Sequence, residues 1–351
     1  MCESSTRVSK GAAMIPVNEA IGMVLGHDIT EIIKDGSKGS AFRKGHIIKK
    51  EDIDHLRRLG KEHIFVLEMS DDDLHEDEAA YLMAAALCGK GVAMQGVPCE
   101  GKINLIAEHD GLLKVNADRL REFNMLGEVM CATLHSNTVV RSGRVVAGTR
   151  AIPLMIKKEL VDSAVRIAAT DGGVLSVLTM QRPLVGVVIT GNEICSGRIT
   201  DAFAPIIREK IAAFGGEVVG VAYAPDSEAV IETSLRELIG RGANLLITTG
   251  GMSVDPDDVT RFAIRNLGAS DITYGSAVLP GAMFLVAYYH NIPILGIPAC
   301  GMYHKNTIFD LVLPRVLAGE RVGRAELAGL GHGGLCLQCK TCAYPVCPFG
   351  K

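Results

Sequence analysis

The sequence contains no tryptophan, and aromatic residues make up only 5% of it. It also lacks the run of about 20 predominantly apolar residues that a membrane-spanning helix needs. Its least charged stretch, residues 275–302, is interrupted by Pro280 and Gly281 and by His290 and Asn291, which favours a β-hairpin in a soluble core. The first twenty residues have no apolar segment of the signal-peptide kind, so we expect a cytoplasmic protein without a membrane partner.

The sequence has no strong excess of charge of either sign, because 36 lysines and arginines accompany 40 aspartates and glutamates. The formal net charge of −4 gives no general attraction to nucleic acid or to anionic lipid. The basic stretch RKGHIIKK at 43–50 is a local exception, and it fits the solvated side of a small α/β unit. We therefore expect no nucleic-acid partner.

The length and the cysteine pattern set the broad class of the protein. The 351 residues exceed what one ordinary hydrophobic core supports, so two or three domains are expected. Six of the ten cysteines are scattered singly, which is typical of reduced thiols in cytosolic proteins. The other four are crowded into the C-terminal tail.

Four regions follow from the patterns along the chain. Residues 14–72 indicate a small α/β unit, and residues 73–182 indicate a mixed α+β domain. Residues 183–322 alternate β-branched apolar runs with helical patterns, and residues 323–351 form a cysteine-rich tail. The alternation predicts an α/β fold, a three-layer doubly wound and mostly parallel sheet, with ligands bound beyond the carboxyl ends of the strands.

Two loops at predicted strand ends combine glycine with acidic residues. One is VVITGNEICSGRITDAF at 187–203, and the other is LLITTGGMSVDPDDVT at 245–260. Glycine lets backbone N–H groups approach a ligand closely, and the N-terminus of the following helix attracts phosphate. Carboxylates beside a phosphate need a cation between them, and Mg²⁺ held by carboxylates and phosphate is the usual arrangement.

The same aspartates also suit helix capping without any ligand. Asp255 fits an N-cap position, and Asp257 and Asp258 then fall in the first turn, where each stabilises the helix by roughly 0.3–1 kcal/mol. Asp201, at a helix start after the first loop, and Asp226, after a third strand, have the same alternative. Both interpretations stay open.

Five segments within residues 183–318 follow one another in a distinctive order: TGNEICSG, TDAFAPIIREKIAAFGGEV, APDSEAVIETSLREL, ITTGGMSVDPDDVT and IPILGIPACG. Together they resemble the molybdopterin-binding domain, which is shared by molybdopterin adenylyltransferases, molybdopterin molybdotransferases and the competence/damage-inducible protein A family. Nearer the N-terminus, EAIGMVLGHDI resembles the opening of the molybdotransferases.

The resemblance implies a three-layer fold that binds molybdopterin or its adenylated form. As in the molybdotransferases, it implies Mg²⁺-dependent insertion of molybdate, and a homodimer as the assembly. By motif, Glu193, Asp226 and Asp258 would be the catalytic acids, and Glu193 and Asp258 would also bind Mg²⁺. The residues implied to bind the cofactor are Thr190, Gly191, Asn192, Ser196, Gly197, Asp201, Thr249, Gly250, Gly251, Ser253 and Pro298.

The chain departs from the resembled pattern at three places. Asn192 stands where many members have aspartate, the lysine segment PGKP appears as PGAMF at 280–284, and the loop LPGNPVS appears as IPACGMYHK at 297–305. Three functions therefore stay open: a molybdotransferase-like enzyme, a non-catalytic molybdopterin carrier or redox or metal sensor, and a nucleotide pyrophosphatase-like enzyme. The last is implied by the likeness of TTGGMSVDPDDVT to a loop of the competence/damage-inducible family.

The tail carries Cys336, Cys339, Cys342 and Cys347 in the pattern C-x2-C-x2-C-x4-C-P. Four thiolates at this spacing indicate a metal centre. It is either Zn²⁺ or an iron–sulfur cluster, whose ferredoxin-type pattern differs in the last gap. A tail this short cannot build a core of its own, so a metal would order it. A disordered, redox-active tail is the alternative.

Overall fold

A computed structural model describes residues 12–32, 38–67, 70–251 and 259–351 of the protein. The chain forms two compact units. The first unit comprises the residues up to Ile106, Asn116–Thr133 and Val145–Ser176. The second unit comprises Ala107–Val115, Leu134–Arg144 and Val177–Lys351. None of the described helices combines the length and the apolar composition that a membrane span requires.

The N-terminal part of the first unit is a small fold around one helix. Its elements are β1 (Ala12–Pro16), β2 (Val24–Leu25), β3 (Ile29–Ile32), β4 (Lys38–Phe42), α1 (Asp52–Arg58) and β5 (His63–Leu67). A three-stranded sheet has the order β1-β5-β2, and β3 pairs with β4. Helix α1 buries Ile53 and Leu56 on one face.

The middle of the chain mixes short strands with three helices. Its elements are β6 (Asp73–His75), α2 (Glu76–Leu87), β7 (Val92–Cys99), β8 (Lys102–Ala107), β9 (Gly111–Val115), α3 (Ala117–Asn124), β10 (Val129–Thr133), β11 (Thr138–Val140), β12 (Val145–Ala151), β13 (Met155–Lys157), α4 (Lys158–Ala169) and β14 (Leu175–Leu178). The sheets have the orders β10-β12-β8-β7, β11-β9-β14 and β13-β6. Helix α4 begins at Lys158, directly after β13, which pairs with β6.

The remaining strands form one six-stranded sheet in the order β16-β15-β17-β20-β19-β18. The elements are β15 (Leu184–Thr190), α5 (Asn192–Cys195), α6 (Phe203–Ala212), β16 (Glu217–Ala224), α7 (Glu228–Gly240), β17 (Leu245–Thr249), α8 (Thr260–Asn266), β18 (Ser270–Tyr274), β19 (Leu285–Tyr289), β20 (Ile292–Ile297), α9 (Ile308–Leu317) and α10 (Arg324–Gly329). Strands β15, β16, β17 and β20 are parallel, whereas β19 runs antiparallel to β20, and β18 to β19. The predicted mostly parallel α/β fold is confirmed.

Helices cover both faces of this sheet, which explains the uninterrupted apolar run of β15. Val187 packs into a core shared with α6 and α9, and Val188 packs into the opposite core with α7 and α8. A strand buried on both faces has no solvent side, so polar alternation is absent. At Gly186 a Cβ atom would collide with Leu238 of α7, so glycine permits the close packing of that helix.

The C-terminal tail has an irregular backbone and packs on the α/β core. Phe349 is only 2% exposed and belongs to the same buried cluster as Phe309 and Leu313 of α9. Tyr344 packs against this cluster, with its ring centroid 6.2 Å from that of Phe349. The α/β core therefore supplies the apolar contacts that the short tail cannot supply for itself.

Candidate functional site

Four parallel strands end side by side at one edge of the six-stranded sheet. The register pairs Thr190 of β15 with Ala224 of β16, and it pairs Thr249 of β17 with Ile297 of β20. Strands β15 and β17 are themselves paired along their length. The loops that follow these four strands, and the loop between β18 and β19 at the same end of the sheet, are called the carboxyl edge below. It is the position at which open α/β sheets bind ligands.

A network of threonine hydroxyls holds the glycine loop of the carboxyl edge. The Thr190 hydroxyl donates to the Thr249 carbonyl at 3.0 Å and lies 3.3 Å from the Thr260 hydroxyl, which donates to the Gly250 carbonyl at 3.1 Å. Gly250 and Gly251 have φ values of 82° and 57°. A Cβ atom at Gly250 would collide with Thr190, and one at Gly251 with Thr260. Both the backbone conformation and the available space therefore require glycine.

Directly before the glycine pair lies a buried hydroxyl without a hydrogen-bond partner among the described protein atoms. It belongs to Thr249, and the hydroxyl of Thr248 is in the same state. Leaving such a group unpaired costs about 1–3 kcal/mol. The Thr249 hydroxyl thus indicates a polar partner at the carboxyl edge beyond the described protein atoms.

Asn192 and Asp226 tie two neighbouring loops together. The Asn192 N–H donates to Asp226 Oδ2 at 3.1 Å, and the Asp226 N–H donates to Asn192 Oδ1 at 3.3 Å. In addition, the Gly191 N–H donates to the Ala224 carbonyl at 3.1 Å. An asparagine oxygen accepts the hydrogen bond without placing a second negative charge beside Asp226. The asparagine at this departure from the family pattern is therefore used structurally.

Glu193 is exposed and lies in α5, directly after β15. A Cβ atom at Gly191, where φ is 142°, would meet the Glu193 Oε1 at 2.7 Å, so this carboxylate folds back over the glycine. Partial burial, followed by the negative charges of Asp226 and Glu193, raises the pKa of the Cys195 thiol. The two carboxylates thus act on one common neighbour, although they come from different loops.

Asp201 caps helix α6. Its carboxylate accepts hydrogen bonds from the Phe203 N–H at 2.7 Å and the Ala204 N–H at 3.2 Å. The Tyr223 hydroxyl of β16 also donates to it at 3.2 Å. Partial burial and the negative charge of Asp201 raise the pKa of Tyr223. The capping alternative is therefore realised at Asp201, and its contact with a cofactor stays a prediction.

The other predicted binding residues are distributed around the same edge. Ser196 and Gly197 are exposed in the loop after α5, and the Ser196 hydroxyl donates to the Glu193 carbonyl at 3.2 Å. Pro298 is buried directly after β20. Ser253 and Asp258 lie outside the described residues, so their predicted roles have no structural account.

The described residues contain no preassembled metal site. Within the ranges given above, no three histidine, cysteine, aspartate or glutamate side chains are grouped so as to hold a metal ion. Glu193 and Asp226 still offer the oxygen ligands that Mg²⁺ prefers, and the phosphates of a ligand would complete such a site. The donor chemistry fits the predicted ion, whose other predicted protein ligand besides Glu193 is Asp258.

Sequence reasoning missed three residues of this edge. Thr260 is the last residue of the segment DPDDVT, and only the fold reveals that its hydroxyl holds the glycine loop. Tyr223 reaches Asp201 across neighbouring elements, and Cys195 lies in the field of both carboxylates. The one available signal was the position of Thr260 at the end of the glycine-aspartate segment.

Comparison with known families assigns this part of the chain. Residues 186–318 match the family described as "Probable molybdopterin binding domain". Residues 186–318 are therefore assigned to the molybdopterin-binding domain superfamily. The resemblance seen in the sequence is thereby confirmed, and the domain is of the molybdenum cofactor biosynthesis type. Residues 14–68 match a second family, a domain of unknown function.

Two kinds of curated relative match parts of this chain. A CinA-like protein of Mycolicibacterium vanbaalenii is 32% identical over 93 residues, which are 26% of this chain and 22% of the relative. A molybdopterin molybdenumtransferase of Synechococcus elongatus is 29% identical over 187 residues, which are 50% of this chain and 46% of the relative. The chain thus spans about a fifth of the first relative and under half of the second.

Solved structures with partial likeness include two molybdopterin biosynthesis proteins. The MoaB protein of Thermus thermophilus is 24% identical with a TM-score of 0.34, over 39% of this chain and 98% of that one. The MoeA protein of Pyrococcus horikoshii is 15% identical with a TM-score of 0.32, over 88% of this chain and 75% of that one. Both TM-scores are low, so the family assignment rests on the sequence matches.

Proposed function

We propose that the carboxyl edge binds molybdopterin or adenylated molybdopterin, and that the protein is a Mg²⁺-dependent, molybdotransferase-like enzyme that places molybdate on it. The observation that carries this proposal is the turn at Gly250 and Gly251, preceded by the Thr249 hydroxyl, which has no hydrogen-bond partner among the described residues. Such a turn exposes backbone N–H groups to a phosphate without interference from side chains.

Each part of the edge has a distinct task in this proposal. The glycine turn binds the phosphate of the pterin, and Thr190 and Thr260 keep the turn in shape. The hydrogen bonds between Asn192 and Asp226 fix two loops, so that little reorganisation accompanies binding. When bound, Mg²⁺ would neutralise phosphate charge, with Glu193 and Asp226 as candidate ligands and Asp258 as a further predicted one.

The extent of the sequence match favours the molybdotransferase-like activity over the other candidates. The match to the molybdenumtransferase covers 50% of this chain, which is more than the domain at 186–318. The match to the CinA-like protein covers only 26%. A longer match supports a shared activity better than a shorter one does.

A single-turnover assay with adenylated molybdopterin, Mg²⁺ and molybdate tests the activity. We expect molybdate-dependent release of AMP together with formation of active cofactor. Glu193→Gln should lower the rate by roughly tenfold or more, equivalent to about 1.4 kcal/mol of transition-state stabilisation. The matched control is Glu237→Gln on the exposed side of α7, which should leave the rate unchanged.

A non-catalytic carrier or sensor is the second candidate, and the departures of the chain favour it. The edge has Asn192 in place of a further carboxylate, and residues 280–284 lack a lysine. Tight pterin binding without AMP release would assign this function. Turnover of ADP-ribose in the absence of pterin would instead assign the nucleotide pyrophosphatase-like activity. We also propose a homodimer, which light scattering of the purified protein tests.

A further inference from the structure

The four tail cysteines surround one cavity. Cys336, Cys339, Cys342 and Cys347 all line a space of about 220 Å³, called the tail cavity below. Its opposite wall is residues 303–306, the segment that leads from β20 towards α9. The spacing of the cysteines predicted four ligands, and the fold brings all four to the same space.

The tail is anchored on both sides of this cavity. The Leu279 N–H donates to the Gly334 carbonyl at 2.8 Å, and the Cys336 N–H donates to the Leu279 carbonyl at 2.8 Å. On the other side Phe349 is buried in the α/β core, and the Tyr344 hydroxyl donates to the Asp310 carbonyl at 3.3 Å. Two cysteines are thus half-buried beside anchors, whereas Cys339 and Cys342 lie exposed between them.

The anchoring loops are those at which the chain departs from the family pattern. Leu279 directly precedes the segment PGAMF, and residues 303–305 end the segment IPACGMYHK. Both loops lie at the carboxyl edge, because Leu285 at the start of β19 pairs with Gly296 near the end of β20. The surface that lost the lysine segment is therefore the surface on which the tail packs.

The arrangement suits a cluster better than a single ion. Tetrahedral Zn²⁺ with Zn–S distances of about 2.3 Å draws four sulfur atoms close together. No three ligand side chains among the described residues are grouped in that way. The cysteines instead surround a space of about 220 Å³, which is larger than a single ion fills.

Polar groups on the opposite wall suit a negatively charged sulfur cluster. Asn306 Nδ2 donates to Cys342 Sγ at 2.9 Å. His304 and Lys305 also line the cavity. Hydrogen bonds to the sulfur atoms and nearby charge are the features by which proteins set the reduction potential of such clusters.

We propose that the four tail cysteines hold one iron–sulfur cluster in the tail cavity, with Asn306 as a positioning residue for the Cys342 sulfur. The cluster lies at the same edge of the sheet as the glycine turn but shares no ligand with it. The cluster does not depend on the proposed enzymatic activity, because it is inferred from the tail and its anchoring loops alone.

The test uses the full chain, purified without oxygen. We expect iron and acid-labile sulfide in the protein, visible charge-transfer absorbance, and a paramagnetic signal after reduction or oxidation. Cys339→Ser and Cys342→Ser should each lose most of the iron and the absorbance. The matched control is Cys99→Ser, an exposed cysteine of the first unit, which should keep both. Circular dichroism checks that each variant is folded.

A second variant distinguishes a role of Asn306 in positioning the Cys342 sulfur from a role in folding of the tail. Asn306→Ala should keep the iron but shift the reduction potential to a more negative value, because a thiolate without its hydrogen bond disfavours the reduced cluster. Equal iron in the wild type and in Cys339→Ser would overturn the ligand assignment. Stoichiometric zinc without visible absorbance would overturn the cluster, as would failure to take up ferrous iron and sulfide in anaerobic reconstitution.

Discussion

The two halves of the carboxyl edge are built in different ways. The loops after β15, β16 and β17 are held by hydrogen bonds among their own residues, such as those of Thr190 with Thr249 and of Asn192 with Asp226. The loops after β20 and between β18 and β19 are instead contacted by the tail, from Gly334 onward. The first half carries the family pattern, and the second half carries two of the departures from it.

This difference teaches where the site tolerates change. The glycine turn depends on backbone conformation and on close packing at Gly250, so substitution there is costly. The loops of the second half present carbonyl and N–H groups at Leu279 that a new segment can use whatever the side chain is. The loop that lacks the lysine of the family pattern thus has a structural role, because it anchors the C-terminal tail.

Removing the tail anchor should have the largest effect. Phe349→Ala is expected to destabilise the packed tail by about 3–5 kcal/mol, because it leaves a cavity in the core beside α9. Trypsin should then cleave faster after Lys340, as followed by mass spectrometry. Phe262→Ala, at a partly exposed phenylalanine of α8, is the control and should not change this cleavage. Unchanged cleavage in Phe349→Ala would mean that the tail is held elsewhere.

The glycine turn should give the next largest effect. In Gly250→Val, a positive φ and a collision with Thr190 combine, and we expect molybdopterin affinity to fall by at least tenfold, about 1.4 kcal/mol. Gly215→Val is the matched control, because φ there is also positive, at 68°, but the space around it is open. Fluorescence titration with molybdopterin measures both. Equal affinities of the two variants for molybdopterin would show that the glycine turn is not part of the pterin site.

The fold of the core could be predicted because its signals are local. Strand β15 is a continuous apolar run that ends at Thr190, directly before Gly191. Helix α6 begins after Asp201, whose carboxylate caps it as the capping interpretation predicts. The hairpin of β19 and β20 was indicated by polar residues at 290–291 between two apolar runs. Each of these features depends on neighbours within a few residues.

The contacts of the site could not be predicted in the same way. Asn192 and Asp226 are 34 residues apart, and nothing local to either indicates that each accepts the other's N–H. The spacing of the tail cysteines predicts a number of ligands but not the surface that supports them. That surface is specified by Phe349 and by the backbone of Leu279, neither of which belongs to a recognisable motif.

Restoring the aspartate of the family pattern at position 192 should have a smaller effect. In Asn192→Asp the oxygen that accepts from the Asp226 N–H is kept, and a negative charge is added. We expect Mg²⁺ to bind more tightly by about 1 kcal/mol, roughly fivefold, since both groups are partly in solvent. Calorimetric titration measures this. The control is Asn291→Asp, in the turn at the opposite end of β20, and equal gains in both variants would show a non-specific charge effect.

The smallest expected effect concerns the thiol of Cys195. Partial burial and the charges of Asp226 and Glu193 raise its pKa, so at pH 8 little of it is thiolate. Glu193→Gln removes one negative charge, which lowers the pKa of Cys195 and should raise its alkylation rate by roughly twofold. Peptide mass spectrometry follows Cys195 alongside the exposed Cys99, whose rate should not change. An unchanged rate at Cys195 would show that the charge of Glu193 does not act on this thiol, and the two carboxylates would then have no common neighbour.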